Sequence, residues 1–118
     1  MSEVNKKNSR GEKGVKKHVG KDHTVDFSVV IPVYNSERTL ESLVQRIEKV
    51  FERLQRSYEI VLTDDGSKDD SWKEIERLHE AGATIRAFHL MKNHGQHHAL
   101  KCGLDQCRGR YAITMADV

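Results

Sequence analysis

The chain has 118 residues, 32% charged and 36% hydrophobic, with a net charge of +2; that balance suits one water-exposed domain with a core of its own. Its longest apolar run, VVIPV at residues 29–33, is far short of the roughly 20 residues that span a bilayer. The polar, basic start does not read as a secretory leader, and two cysteines five positions apart do not suggest a disulfide framework. A cytoplasmic chain with reduced thiols is the expectation.

Charge is unevenly placed. Residues 1–24 hold seven Lys or Arg against Glu3, Glu12 and Asp22, a local +4, which leaves −2 for the rest. Such a basic, Gly-containing stretch with almost no apolar residues is expected to be a disordered tail, with the folded domain spanning residues 25–118. The tail could touch nucleic acid or an anionic surface, or it could simply solubilise. Having no aromatic residue to stack on bases and no apolar face to insert, it is read as a solubilising terminus, not as a nucleic-acid binder.

Residues 26–33 read as a first strand, nearly continuous in apolar side chains, as in a strand covered on both faces. Pro32 lacks a donor, so pairing should be interrupted or finished near it. Tyr34-Asn35-Ser36 makes a turn, with Ser36 or Asn35 able to cap a helix. In that helix Leu40, Leu43, Val44, Ile47, Val50, Phe51 and Leu54 recur at helical spacing.

The next segment, YEIVLTDDGSKDDS at residues 58–71, organises the chain. An apolar run ends at Asp64 and Asp65, and Gly66-Ser67 forces a turn. A helix follows over residues 70–81, with Ser67 or Asp69 as caps and Trp72, Ile75 and Leu78 facing the core; Gly82 ends it. Trp72 reads as a residue packed on the sheet. Residues 84–90 form a third strand, 91–95 a loop, and 96–107 a third helix. Gly103 inside that helix costs about 0.8–1 kcal/mol relative to Ala and points to close approach of the sheet. Gly109 ends the helix, and residues 110–115 begin a fourth strand.

The pattern β-α-β-α-β-α-β predicts an α/β fold of Rossmann-like βαβ units with a mostly parallel sheet. The segments after each strand then share one rim, the edge where open α/β sheets bind ligands. Asp64 and Asp65 could accept hydrogen bonds from a ring N–H or sugar hydroxyls there; turn and capping chemistry explains the same residues equally well. Lys92 and the histidines His94, His97 and His98 sit at a helix start, a place that favours phosphate. No phosphate loop, dinucleotide glycine motif, zinc pattern or nucleophile elbow occurs.

Three segments together resemble the family 2 inverting glycosyltransferases of the GT-A fold: VVIPVYNSE at 29–37, VLTDDGSKDDS at 61–71 and KNHGQHHALKCGL at 92–104. The nearest likeness is to the branch that transfers sugars to polyprenyl phosphates such as dolichol or undecaprenyl phosphate. The resemblance implies the nucleotide-binding half of that fold, truncated, and a parent enzyme at the cytoplasmic face of a membrane. It implies a nucleoside diphosphate sugar as donor, a UDP-sugar first among them, and a polyprenyl phosphate as acceptor. Pro32, Val33 and Tyr34 would line the base pocket, with Glu37 near the diphosphate or metal. Asp65 would bond the base, preceded by the more replaceable Asp64. Lys92 and Asn93 would lie near the donor, Gly95 would give the loop its close approach, and Gln96 and His97 would open the helix beneath.

The pattern departs at its end. The family's fourth strand leads to an Asp-x-Asp that holds Mg²⁺ or Mn²⁺, whereas here the residues read Thr114-Met115-Ala116-Asp117-Val118. Read without a gap, Ala116 and Val118 stand where the two aspartates should be; read with one deletion, Asp117 is the second aspartate and the one metal ligand offered, and neither reading completes the pair. The sequence stops as the fourth strand reaches the rim, so a longer parent is expected. The competing reading is a nucleotide-sugar-binding or protein-interaction module without chemistry of its own.

Overall fold

The apolar run from Phe27 to Val33 becomes the middle strand of a sheet because both its faces are covered. The computed structural model describes residues 15–17, 24–82 and 84–116. Its elements are β1 (Val15–Lys17), β2 (Val25–Val33), α1 (Leu40–Leu54), β3 (Tyr58–Asp64), α2 (Ser71–Ala81), β4 (Ile85–His89), α3 (Gln96–Asp105) and β5 (Gly109–Thr114). The strand order is β1-β5-β2-β3-β4. β5, β2, β3 and β4 run parallel, as the alternating pattern requires, while β1 pairs antiparallel to β5, Val15 opposite Ile113. Residues 15–17 belong to the stretch expected to be a disordered tail. Ladder bonds to the edge of β5 order them, and composition carries no signal for that. The remainder of that stretch up to residue 23 lies outside the described residues.

Alternation along the strands sorts side chains into two cores. Val29, Ile31 and Val33 of β2 and Ile60 and Leu62 of β3 pack under α1 (Leu40, Val44, Ile47, Phe51) and α2 (Ile75, Leu78). On the opposite face Val30, Val61 and Ala112 meet Leu100, Leu104 and Cys107. Burial pushes the Cys107 thiol up to about 12, so it behaves as a small apolar residue. A β-carbon on Gly103 would lie 2.6 Å from Val30 Cγ1; the sheet approaches α3 there as closely as the glycine suggested. Among the described residues no helix is long and apolar enough to cross a membrane.

Pro32 shapes the rim. Pairing of β2 with β3 continues past it to Val33 opposite Asp64, but pairing with β5 stops at Val30 opposite Thr114. In a parallel ladder alternate residues bond to the same neighbour, and the Met115 N–H donates to the Val30 carbonyl at 3.0 Å. The N–H that Pro32 lacks therefore falls on the β5 side, where the ladder has just ended. The two strands part beyond that point and leave space between them.

The caps differ from expectation. α1 starts after Thr39, and neither Ser36 nor Asn35 caps it through a side chain; Asn35 is committed elsewhere, as described below. α3 stops at Asp105, two residues before the expected end, and Gly109 opens β5 instead of closing the helix.

Candidate functional site

The four parallel strands end at one rim, and two of the loops there are stitched into one block. Asn35, with φ of 52°, donates its N–H to Ser67 Oγ at 2.9 Å and accepts the Lys68 N–H at 2.8 Å. The Ser36 N–H donates to Ser71 Oγ at 2.7 Å, and Glu37 Oε1 accepts the Asp70 N–H at 2.9 Å. Asp69 Oδ1 accepts both the N–H and the O–H of Ser71, while its Oδ2 takes the Glu37 N–H. Partial burial raises the Asp69 carboxyl pKa, but the bonds from Ser71 and Glu37 outweigh it and hold the group below its ordinary 3.8.

The adjacent aspartates do different work. Asp64 is fully buried and points into its own turn, where Oδ1 accepts the Ser67 O–H at 2.5 Å and Oδ2 the Ser67 N–H at 3.2 Å. His89 Nε2 lies 3.3 Å from the same Oδ2, and its ring stacks on Trp72 with centroids 4.3 Å apart. Trp72, read from sequence as a sheet-packing residue, thus also serves as a platform for His89. Asp65 points across the rim: Oδ1 accepts the His94 N–H at 2.8 Å and Oδ2 the Gly95 N–H at 3.0 Å. Gly66 lets these loops meet. Its φ is +69°, and a β-carbon there would sit 2.7 Å from the Asn93 nitrogen.

Between the loops lies a cavity of about 300 Å³ lined by Pro32, Val33, Tyr34, Asp65, Asn93, Gly95, Gln96 and Ala116. A smaller one of about 160 Å³ shares Pro32, Gln96 and Ala116 and runs in toward Leu100 and Thr114. Tyr34 is 41% exposed at the mouth. α3 begins at this wall behind Gly95, with no side-chain cap and no acidic residue in its first turn. Gly95 is needed for its φ of +98°, not for the close approach expected of it, since a β-carbon there would meet nothing within 4 Å.

Three residues expected at the site do not line this cavity. Glu37 spends its carboxylate on α2, Asp64 is enclosed by Ser67 and His89, and Lys92 is exposed. Ala116 is a wall residue that the site reading left out; its position directly after a strand end was the available signal. Asp117, the expected metal ligand, lies outside the described residues. A divalent cation needs several oxygen ligands. Among the described residues no group of three or more His, Cys, Asp or Glu could hold one. The described wall does not fit Mg²⁺ or Mn²⁺.

An open parallel sheet with its cavity at the carboxyl ends of the strands is the layout of ligand-binding α/β domains. The sequence profile of Glycosyl transferase family 2 matches residues 28–117, and the chain belongs to that family. It is 43% identical over 97 residues to an undecaprenyl-phosphate 4-deoxy-4-formamido-L-arabinose transferase of Pseudomonas syringae pv. syringae, covering 80% of this chain and 29% of the relative. A Pseudomonas fluorescens protein of the same name is 44% identical over 92 residues, 75% of this chain and 26% of its own length. The chain thus spans less than a third of the curated relatives it matches. Among solved structures, S. aureus TarS 1-349 in complex with UDP superposes with a TM-score of 0.66 at 26% identity, over 77% of this chain and 27% of that one. The fold is that of part of a GT-A glycosyltransferase domain.

Proposed function

We propose that this chain is the donor-nucleotide half of a transferase that moves a sugar from a nucleoside diphosphate, a UDP-sugar, to a polyprenyl phosphate. The observation that carries the reading is the Asp65 carboxylate on the wall of a cavity whose mouth holds Tyr34. A carboxylate has about four acceptor sites, and the backbone N–H groups of His94 and Gly95 use two of them. The remainder can accept a ring N–H of a base. Pro32 and Val33 supply an apolar wall for the base and Tyr34 a ring at the mouth. The uncapped start of α3, next to the same cavity, suits phosphate. The names of the Pseudomonas relatives and the UDP complex of TarS support this ligand and acceptor class.

In the parent reaction the acceptor phosphate oxygen attacks the anomeric carbon. The bond from that carbon to the diphosphate breaks, and the electron pair leaves on the nucleoside diphosphate. The residues described here hold the nucleotide and fix Asp65 through the His94 and Gly95 amides; they contribute no acceptor pocket. The incomplete Asp-x-Asp at Ala116-Asp117-Val118 favours a second reading, a nucleotide-sugar-binding or protein-interaction module without chemistry of its own. Calorimetric titration with UDP tests the proposal. Saturable binding that falls by about tenfold or more in Asp65→Ala is expected, and no binding of UDP by the wild type overturns it.

A further inference from the structure

We propose that the groove between α1 and β5 is a docking surface for an anionic membrane, where an outer apolar stripe of α1 and its basic flank meet lipid together. The inference goes beyond the donor cavity and stands without it, because it concerns another face of the sheet. α1 carries two apolar stripes. Leu40, Val44, Ile47 and Phe51 are buried against the sheet, which is the packing a surface helix needs. Leu43, Val50 and Leu54 form a second stripe on the side toward β5, and Val50 and Leu54 are 49% and 56% exposed. The floor beside them is only partly buried too: Phe27 of β2, Ile113 of β5 and Met115 just past it. These six side chains line an apolar groove of about 410 Å³. A single exposed leucine means little, whereas a continuous apolar patch across a helix and two strands marks an interaction surface.

Charge selects the partner. By helical spacing Arg46, Lys49 and Arg53 fall together on the solvent side of α1 next to this stripe, Lys49 farthest from the groove, and all three are exposed. Arg46 also lines the groove, as a long side chain does when its stem covers apolar surface and its head stays in water. The acidic residues of the helix, Glu41, Glu48 and Glu52, fall on the far side, where Glu41 pairs with Arg77 of α2 at 3.2 Å. An apolar stripe flanked by cations, with the acids turned away, is the pattern of a helix that lies on an anionic bilayer. β1 adds to the same edge. Val15 stands opposite Ile113 of the groove floor, so the segment 1–24 with its net +4 joins the sheet beside the apolar face that its own sequence lacks. Stable attachment to a membrane takes two signals, and here an apolar patch and a basic segment meet at one edge.

Cosedimentation of the full chain with lipid vesicles tests the proposal. Wild type should bind vesicles of equal parts phosphatidylglycerol and phosphatidylcholine, and bind pure phosphatidylcholine at least about tenfold more weakly. Val50→Ser/Leu54→Ser and Arg46→Ala/Arg53→Ala should each weaken binding to the anionic vesicles about tenfold, with helical circular dichroism and UDP affinity unchanged. Absence of wild-type binding to the anionic vesicles overturns the inference. Binding that both double variants retain in full overturns it as well, since the basic segment alone would then carry the contact. So does a concentration-dependent dimer that Val50→Ser/Leu54→Ser dissolves in a chain that ignores vesicles, which would make a second copy the occupant of the groove. Vesicle binding by a wild type that fails to bind UDP would sink the donor reading and support this one.

Discussion

The two rims of the sheet each bury a carboxylate, and they use it in opposite ways. At the amino-terminal rim Glu59 accepts the Ser28 O–H at 2.5 Å, the Arg108 N–H at 2.6 Å and Arg86 Nη1 at 3.2 Å. Arg86 also reaches the Gln106 carbonyl, and Ser28 Oγ takes the Gly109 N–H. That network is closed: each member faces another protein group. At the carboxyl-terminal rim Asp65 is equally buried, at 3% exposed against 5% for Glu59, yet it fronts an open cavity. Burial of a carboxylate therefore does not mark a ligand site. The mark is unused acceptor capacity facing space at a helix start.

The difference can be broken from either side. Glu59→Ala should have the largest effect on stability, about 3 kcal/mol in urea unfolding, because it removes the acceptor of the Ser28 O–H and the Arg108 N–H and one partner of the half-buried Arg86. It should leave UDP affinity unchanged under conditions where the variant stays folded. Gly66→Ala should cost about 2–3 kcal/mol, since the new methyl group meets the Asn93 backbone and the residue must hold a positive φ. Unlike Glu59→Ala, it should also weaken UDP, because the 92–95 loop has to move.

Asp65→Ala should cost about 1–2 kcal/mol through the two amides left without an acceptor, with its main effect on UDP affinity. The smallest effect belongs to Asp69. Its carboxyl is held below 3.8 in the folded chain, so its ionised form contributes stability above that pH, and the contribution is lost as pH falls through the lowered value. The group is partly exposed to solvent, which screens it, so the contribution is under about 1 kcal/mol. Asp69→Asn should flatten the acid side of a stability–pH curve by that amount, and an unchanged slope would contradict the assignment.

Much of this layout was legible in the residues. Continuous apolar runs gave the parallel strands, a 3.6-residue period gave α1, and Gly103 gave the close face of α3. Segment motifs brought six of the nine expected donor residues around one cavity. What the sequence did not show has physical causes. Neighbouring residues at a strand end point to opposite sides, so Asp64 and Asp65 could not both face the cleft, and the motif alone does not say which one does. Glu37 and Asn35 carry groups suited to a ligand, but α2 and its turn, more than thirty residues away in sequence, claim them first. The Trp72–His89 stack joins a helix to a strand across a sheet edge, beyond the reach of local pattern. β1 depends on edge pairing, which any extended backbone can make.

The most direct test of the central claim is a UDP titration followed by backbone amide resonances. Progressive shifts at Tyr34, Asp65, His94, Gly95, Gln96 and Ala116, with Glu59, Arg108 and Gly109 unmoved, are the predicted result. Shifts centred on the Glu59 rim, or none at saturating UDP, would contradict it.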